Sequence, residues 1–360
     1  MAAWKKLAIL GKGSYGTVYL ATVALPQECN EKVVAVKSSS PFSFSIASMQ
    51  KEKRILDSFL GCKEILQCYF DQFTVERNYV TYNLFMECAP YGSLLGLVNK
   101  KGPISDSEVR VYTRMLLKGL SCIHRKGVVH CDLKPDNILL FPSSDDHARY
   151  QLKIADFGLS KTREDANAEY GKVKFRGTPS YMSPESVVGQ IEPALDIWSL
   201  GCIIIEMITG FRAWKNLRTK KEIMLKLFVL QEAPEIPNGL SWDCKNFLSK
   251  CFVKDPRQRW TATMLLNHPF LYPTCYMCSS SFFSYDIDRD LLQMMKEPMC
   301  HPLRDSDFES QLTYFLLLSL GKAVTLPPTS SHPMPHLTLK TPPEPQIYLQ
   351  ACLPLRTLLA

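Results

Sequence analysis

The chain has 360 residues, with 42 Lys and Arg against 35 Asp and Glu, a net charge of +7. Hydrophobic residues make up 46% and charged residues 21%, which is enough apolar material for a large core and excludes a wholly disordered chain. The positive excess is scattered rather than clustered, so no nucleic-acid partner is expected. The 13 cysteines have no regular spacing and lie in apolar segments, as in a reducing compartment where Cys serves as a small apolar residue. The start, Met1–Trp4 followed by Lys5 and Lys6, lacks a signal-peptide pattern. The longest apolar runs, Cys202–Ile205 and Tyr314–Leu320, are too short to cross a bilayer as helices, so no membrane insertion is expected. A cytoplasmic or nuclear protein is the resulting expectation.

Taken in order, residues 1–36 predict strand, turn, strand: Leu7, Ile9 and Leu10 lead into a glycine-rich turn, and Val18, Tyr19 and Leu20 follow. The turn is Gly11-Lys12-Gly13-Ser14-Tyr15-Gly16-Thr17-Val18, whose glycines let backbone amides approach phosphate oxygens. A dinucleotide-binding turn requires a helix next, whereas Thr17–Leu20 reads as strand; a plain Gly-rich hairpin remains open from this motif alone. Val33–Val36 form the next strand and end on Lys37, a cation that needs a partner unless it snorkels from a strand edge. Residues 45–60 switch to helical period, with Ile46, Met49, Leu56, Phe59 and Leu60 on one face. Glu52 falls within that inward stripe and is the natural partner for Lys37.

Strand-like runs follow near Leu66–Thr74 and Tyr79–Glu87, and Gly92 breaks the pattern. Ser105-x-x-Glu108 predicts a capping box opening a helix to about His124. Short strands are expected around Val128–Leu140 and Leu152–Ala155, and a fully buried helix over Trp198–Met207. Beyond Tyr272, Pro- and Ser-rich segments with weak periodicity predict a partly disordered tail over 272–360, with one short helix near Asp290–Met295. Cys275-x-x-Cys278 lacks a second spaced pair, although His268, Cys300 and His301 lie nearby, so zinc is a minor alternative there.

The segment His130-Cys131-Asp132-Leu133-Lys134-Pro135-Asp136-Asn137, followed by Leu152–Ala155 and Asp156-Phe157-Gly158, resembles the eukaryotic protein kinase family. Further matches are Gly177–Glu185, with Ser183 where the family has Ala, then Asp196–Gly201 and Asp255-Pro256-x-x-Arg259. The resemblance spans about residues 4–271 and implies a kinase domain over 1–271. Its fold would be an α+β bilobal kinase fold. A small antiparallel β lobe with one helix (about 1–86) would join a mainly helical lobe (about 90–271), with ATP between them.

The resemblance implies Asp132 as the base that orients the attacking hydroxyl and Lys134 as the cation that meets the moving phosphate. Asn137 and Asp156 would hold Mg²⁺, and Lys37, paired with Glu52, would contact the phosphates. Leu10, Gly11, Lys12, Gly13, Ser14, Tyr15, Gly16, Thr17, Val18 and Lys37 would bind ATP, with backbone groups of the hinge at Glu87 and Ala89. An ion pair between Glu185 and Arg259 is implied as well. Lys134, two residues after Asp132, marks the Ser/Thr-specific branch. Gly177–Ser186 and Leu195–Gly210 are similar to plant MEKK-like MAP kinase kinase kinases, whose substrate would be a MAP kinase kinase.

One departure stands out. Cys131 replaces the Arg that in most of the family receives an activation-loop phosphate. Either loop phosphorylation matters less in this chain, or Cys131 is a small packed residue without regulatory meaning. A scaffold that binds nucleotide without catalysis, or a Ser/Thr kinase of another pathway, are the alternative functions; all five residues Lys37, Glu52, Asp132, Asn137 and Asp156 are nevertheless present.

Overall fold

The computed structural model describes residues 3–13, 16–24, 31–40, 43–76, 78–144, 148–165, 177–217 and 219–272. Ser14, Tyr15, the Cys275-x-x-Cys278 pair, Cys300, His301 and the expected helix near Asp290–Met295 lie outside the described residues.

The first lobe is an antiparallel sheet of β1 (Ala3–Gly13), β2 (Gly16–Ala24), β3 (Lys32–Ser39), β4 (Cys68–Glu76) and β5 (Tyr79–Glu87) in the order β1-β2-β3-β5-β4. Val34, Val36, Ala21, Val23 and Phe85 point to one face and form its core, closed at the edge by Trp4 and Phe70. β-Branched residues suit this pleated, half-buried surface. The turn from β1 to β2 needs a glycine at its exit. A Cβ on Gly16 would lie 2.0 Å from the Ser38 carbonyl oxygen, because β2 starts hard against β3.

Helix α1 (Ser43–Asp57) lies against this sheet and buries Met49, Glu52, Ile55 and Leu56. Residues 58–61 form turns and Gly61 has φ +81°, so the helix stops short of the expected residue 60.

The second lobe is mainly helical. Helix α2 (Leu94–Lys101), which the periodicity did not predict, is capped by Ser93, whose side chain accepts from Gly96 N–H. Helix α3 (Asp106–Arg125) begins where expected, with Ser105 accepting from Glu108 N–H, and buries Val109, Tyr112, Leu116, Leu120 and Ile123. Helix α4 (Ala194–Thr209) buries Leu195–Met207 without a break, as its all-round apolar sequence requires. Shorter helices cover Lys220–Phe228, Trp242–Cys251 and Ala262–Leu266.

Two small antiparallel ladders pack on α2 and α3 of the second lobe. β6 (Val128–Val129) pairs with β9 (Lys161–Thr162), and β7 (Ile138–Pro142) pairs with β8 (Tyr150–Ile154). They hold the ends of two irregular stretches, 130–137 and 155–160, side by side. α3 supports the second ladder at close range: a Cβ on Gly119 would sit 2.9 Å from Ile154 Cδ1 and 3.2 Å from Glu64 Cβ. The architecture is the bilobal one expected, an antiparallel sheet with one helix beside a helical lobe.

Candidate active site

Lys37 stands on β3, opposite Val18 of β2 and Leu84 of β5. Its Nζ donates to Glu52 Oε2 at 2.6 Å and to Asp156 Oδ1 at 2.8 Å. One ammonium therefore ties the sheet, α1 and the stretch after β8 together. Burial by itself would lower the Lys37 pKa, but the Glu52 and Asp156 carboxylates outweigh it and hold the amine above its ordinary value. Burial pushes the Glu52 carboxyl upward against the pull of Lys37. At Asp156, burial also opposes ionisation, but the Lys37 ammonium prevails and holds the carboxyl below its usual value.

Asp156 has φ +63°, a left-handed conformation that Asp tolerates better than most residues. That twist sends Phe157 inward, where its ring lies 5.9 Å from Phe59 and 5.0 Å from His130. The Asp156 side chain is left half exposed.

The stretch 130–137 is fixed from below by Asp196 of α4, which is fully buried. Its Oδ2 accepts from His130 N–H at 2.9 Å and its Oδ1 from Cys131 N–H at 3.1 Å. His124 Nε2 lies 2.9 Å from the same Oδ2. Cys131 takes φ +66° and its Sγ donates to the Val129 carbonyl at 3.6 Å. This anchored bend presents Asp132. Lys134 Nζ donates to Asp132 Oδ2 at 2.7 Å, and Thr178 Oγ1 donates to Oδ1 at 2.9 Å. Lys134 also reaches Thr178 Oγ1 at 3.1 Å, which closes a three-membered ring. Asn137 Nδ2 donates to the Asp132 carbonyl at 2.9 Å.

The residues present fit a nucleotide triphosphate and a hard cation. A Cβ on Gly11 or Gly13 would meet no atom within 4 Å, so the end of β1 borders open space that a phosphate can enter. Lys37 supplies a fixed positive charge at the end of that space. Asn137 uses its amide nitrogen on the Asp132 carbonyl, so its oxygen is the atom it can offer a metal. With the Asp156 carboxylate this makes a two-oxygen set, the number Mg²⁺ takes from protein when phosphates and waters supply the rest.

Leu10, Gly11, Lys12 and Gly13 end β1, and Gly16, Thr17 and Val18 open β2. Glu87 ends β5, and its side chain turns away from the cleft. It accepts from Lys153 Nζ at 2.7 Å and from Gln67 N–H at 2.7 Å, so only its main chain faces the hinge role with Ala89.

The structure thus gathers Lys37, Glu52 and Asp156 into one cluster and Asp132, Lys134 and Asn137 into a second. Sequence reasoning missed Thr178 as a direct partner of both Asp132 and Lys134. The pair is separated by 46 residues, and the only sign was its place in Gly177–Glu185. The expected ion pair forms: Arg259 Nη1 donates to Glu185 Oε1 at 2.5 Å, with both side chains buried. A small pocket beside Asp132 is lined by Thr178, Met182, Ser186, Gln190 and Leu195. His268, weighed with the zinc alternative, has both ring nitrogens engaged: Nδ1 accepts from Phe270 N–H, and Nε2 faces Asn246 Oδ1 at 2.9 Å.

Comparison with known proteins agrees with this geometry. The family model described as protein kinase domain matches residues 4–271. Mitogen-activated protein kinase kinase kinase 20 of Arabidopsis thaliana is 42% identical over 274 residues, covering 74% of this chain and 78% of that protein. Mitogen-activated protein kinase kinase kinases 17 and 18 of the same plant are each 38% identical; the matches cover 74% of this chain, and 69% and 77% of those proteins.

Proposed function

The chain belongs to the protein kinase family and is a serine/threonine protein kinase, and from that premise we propose that it acts as a MAP kinase kinase kinase. In this reading it transfers the γ-phosphate of ATP to a Ser or Thr hydroxyl of a MAP kinase kinase. The observation that carries the reading is the ring of Asp132, Lys134 and Thr178 set beside an intact Lys37–Glu52–Asp156 cluster. The names of the most similar relatives supply the substrate class.

Asp132 Oδ1 and Oδ2 are the acceptors for the proton of the attacking hydroxyl. Lys134 holds the Asp132 carboxylate in place and supplies positive charge where the transferred phosphoryl group passes. Lys37, fixed by Glu52, orients the nonreacting phosphates. Asn137 and Asp156 would hold Mg²⁺, which when bound neutralises phosphate charge. A cytoplasmic or nuclear location and a domain over 1–271 go with this reading.

The test compares the purified full chain with Lys37→Met, each given Mg²⁺-ATP and a panel of MAP kinase kinases beside a generic basic protein. Transfer by wild type to a MAP kinase kinase, absent in the variant, supports the proposal. Transfer to the basic protein alone points to another pathway. No transfer above the variant points to a scaffold.

A further inference from the structure

The connector from α1 to β4, residues 58–67, runs along one face of α3. Gly119, Cys122 and, just past the helix end, Lys126 follow one another at spacings of three and four residues, so they share that face. Two points fix the contact. A Cβ on Gly119 would lie 3.2 Å from Glu64 Cβ, and Lys126 Nζ donates to the Ser58 carbonyl. Cys122 falls between these points, and the connector carries Cys62 between Ser58 and Glu64. The Cys62 thiol is within hydrogen-bonding reach of the Cys122 thiol. Its Sγ also donates to Glu64 Oε2 at 3.7 Å. A disulfide needs its two Cβ atoms about 3.5–4.5 Å apart. One turn away, at Gly119, α3 comes that near the connector.

The main chain of Cys62 is braced. Its N–H donates to the Phe59 carbonyl at 3.1 Å, and its carbonyl accepts from Ile65 N–H at 3.3 Å and Gln67 Nε2 at 3.1 Å. The connector is tied in turn to Ile154 of β8, through the Glu64 carbonyl at 2.8 Å and Leu66 N–H at 2.9 Å. Both cysteines are free and half-buried, so a small reagent can reach them. Cys202 and Cys251 also neighbour one another, but both are fully buried.

We propose that Cys62 and Cys122 are an oxidant-responsive modification site, at which a small-molecule disulfide such as glutathione disulfide forms an intramolecular bond that clasps the connector to α3. The step is two thiol–disulfide exchanges. One cysteine thiolate attacks a glutathione sulfur, the glutathione S–S bond breaks, and one glutathione leaves with the proton. The other cysteine attacks the mixed disulfide, the Cys62–Cys122 bond forms, and the second glutathione leaves with the second proton. The protein loses two electrons, and the oxidant gains them as two thiols. Burial, joined by the Cys122 thiol, pushes the Cys62 thiol up to about 11, so thiolate is scarce there at neutral pH. The second exchange joins sulfurs already side by side, which offsets that scarcity, and the mixed disulfide does not accumulate.

The bond forms while Glu52 holds Lys37 and Phe59 packs on Phe157, so it retains that arrangement. It also closes a long loop of the unfolded chain, which disfavours unfolding. In a reducing compartment it is transient, made when the thiol pool turns oxidising and undone when the pool recovers.

The experiment equilibrates the folded full chain in glutathione buffers of stepped oxidised-to-reduced ratio. Remaining thiols are alkylated and cross-links are mapped by peptide mass spectrometry. Wild type is expected to give a Cys62–Cys122 peptide as its main product, lost on treatment with dithiothreitol. Cys122→Ser is expected to give a glutathione adduct on Cys62 instead. Oxidised wild type should melt about 5 °C above reduced wild type, whereas Cys122→Ser melts alike in both buffers. Cys122→Ala repeats the comparison should Ser unsettle the fold. Wild type that ends as mixed disulfides or unmodified thiols in the most oxidising buffer overturns the proposal. A bond that forms without raising the melting temperature does so too. Neither readout depends on which protein is the kinase substrate.

Discussion

The Asp132 carboxylate has a close bond from Lys134 nearby in the chain and one from the distant Thr178, and each contributes in its own way. Lys134 brings charge, whereas Thr178 brings a hydroxyl that donates to Oδ1 and accepts from Lys134. Replacement of Thr178 by Val removes both of its bonds and leaves Oδ1 without its hydroxyl donor, while Lys134 still holds Oδ2. A hydrogen bond to a charged group is worth about 1.5–3 kcal/mol, which converts to a fall in kcat of about 10- to 100-fold. Thr178→Ser keeps the hydroxyl and should stay within about threefold of wild type by the same reasoning, and steady-state kinetics on one protein substrate distinguishes the two. The loop hydroxyls carry a separate expectation. Ser160 is buried and donates to the His130 carbonyl at 3.2 Å, and Thr162 bonds Asp165. With Cys131 unable to pair a phosphate, Ser160→Ala and Thr162→Ala should both retain most of the basal activity. A large loss that Glu restores at the same position would show that the basal rate requires loop phosphorylation.

At the scale of elements, the buried pair of Glu185 and Arg259 joins the short helical turn Pro184–Val187 to the segment before helix Ala262–Leu266. Arg259 also donates to the carbonyls of Val253 and Ala194, so one guanidinium closes three backbone segments around α4. Its side chain is 0% exposed and that of Glu185 4%, so neither charge can turn to water if its partner is lost. Arg259→Leu leaves Glu185 buried and unpaired and is expected to cost about 3–5 kcal/mol, read as a lowered urea midpoint. The double variant Arg259→Leu/Glu185→Leu should recover much of that loss, because no charge then remains buried.

This pair was legible in the sequence only through the kinase resemblance, whereas Lys37 and Glu52 were legible from physics: a cation ending an apolar strand and an acid inside an apolar helical stripe require one another. The start of α3 was legible because a capping box is a local signal. Helix α2 was not, since eight residues with Gly96 among them give too short a period, and its marker was the Ser93 cap alone. Thr178 and Asp196 were illegible as partners of the 130–137 stretch, because contacts across 46 and 66 residues are made by the fold and leave no spacing rule.

For the whole molecule, the acid side of the stability curve should be governed by groups whose pKa folding lowers. His268 lies in the helical lobe, and burial lowers its pKa from the ordinary value of 6.5. Its hydrogen bonds call for the neutral ring, with the proton on Nε2 facing Asn246 Oδ1 and Nδ1 accepting from Phe270 N–H. A second proton would occupy the lone pair that Nδ1 offers to Phe270. The unfolded chain therefore binds more protons than the folded one once the pH drops below about 6.5. The contribution of His268 is fully present above 6.5 and is lost as pH falls toward the folded value. Asp156 has the same sign in a more acidic window, since Lys37 holds its pKa below the ordinary 3.8. The two losses should then be separable by pH. Urea midpoints of wild type are expected to decline between pH 6.5 and 5, while His268→Gln starts lower but runs flatter across that interval. Below pH 4 the two proteins should fall in parallel, because the carboxylate at Lys37 is common to both. Equal slopes between pH 6.5 and 5 would mean that His268 titrates alike in the folded and unfolded chain.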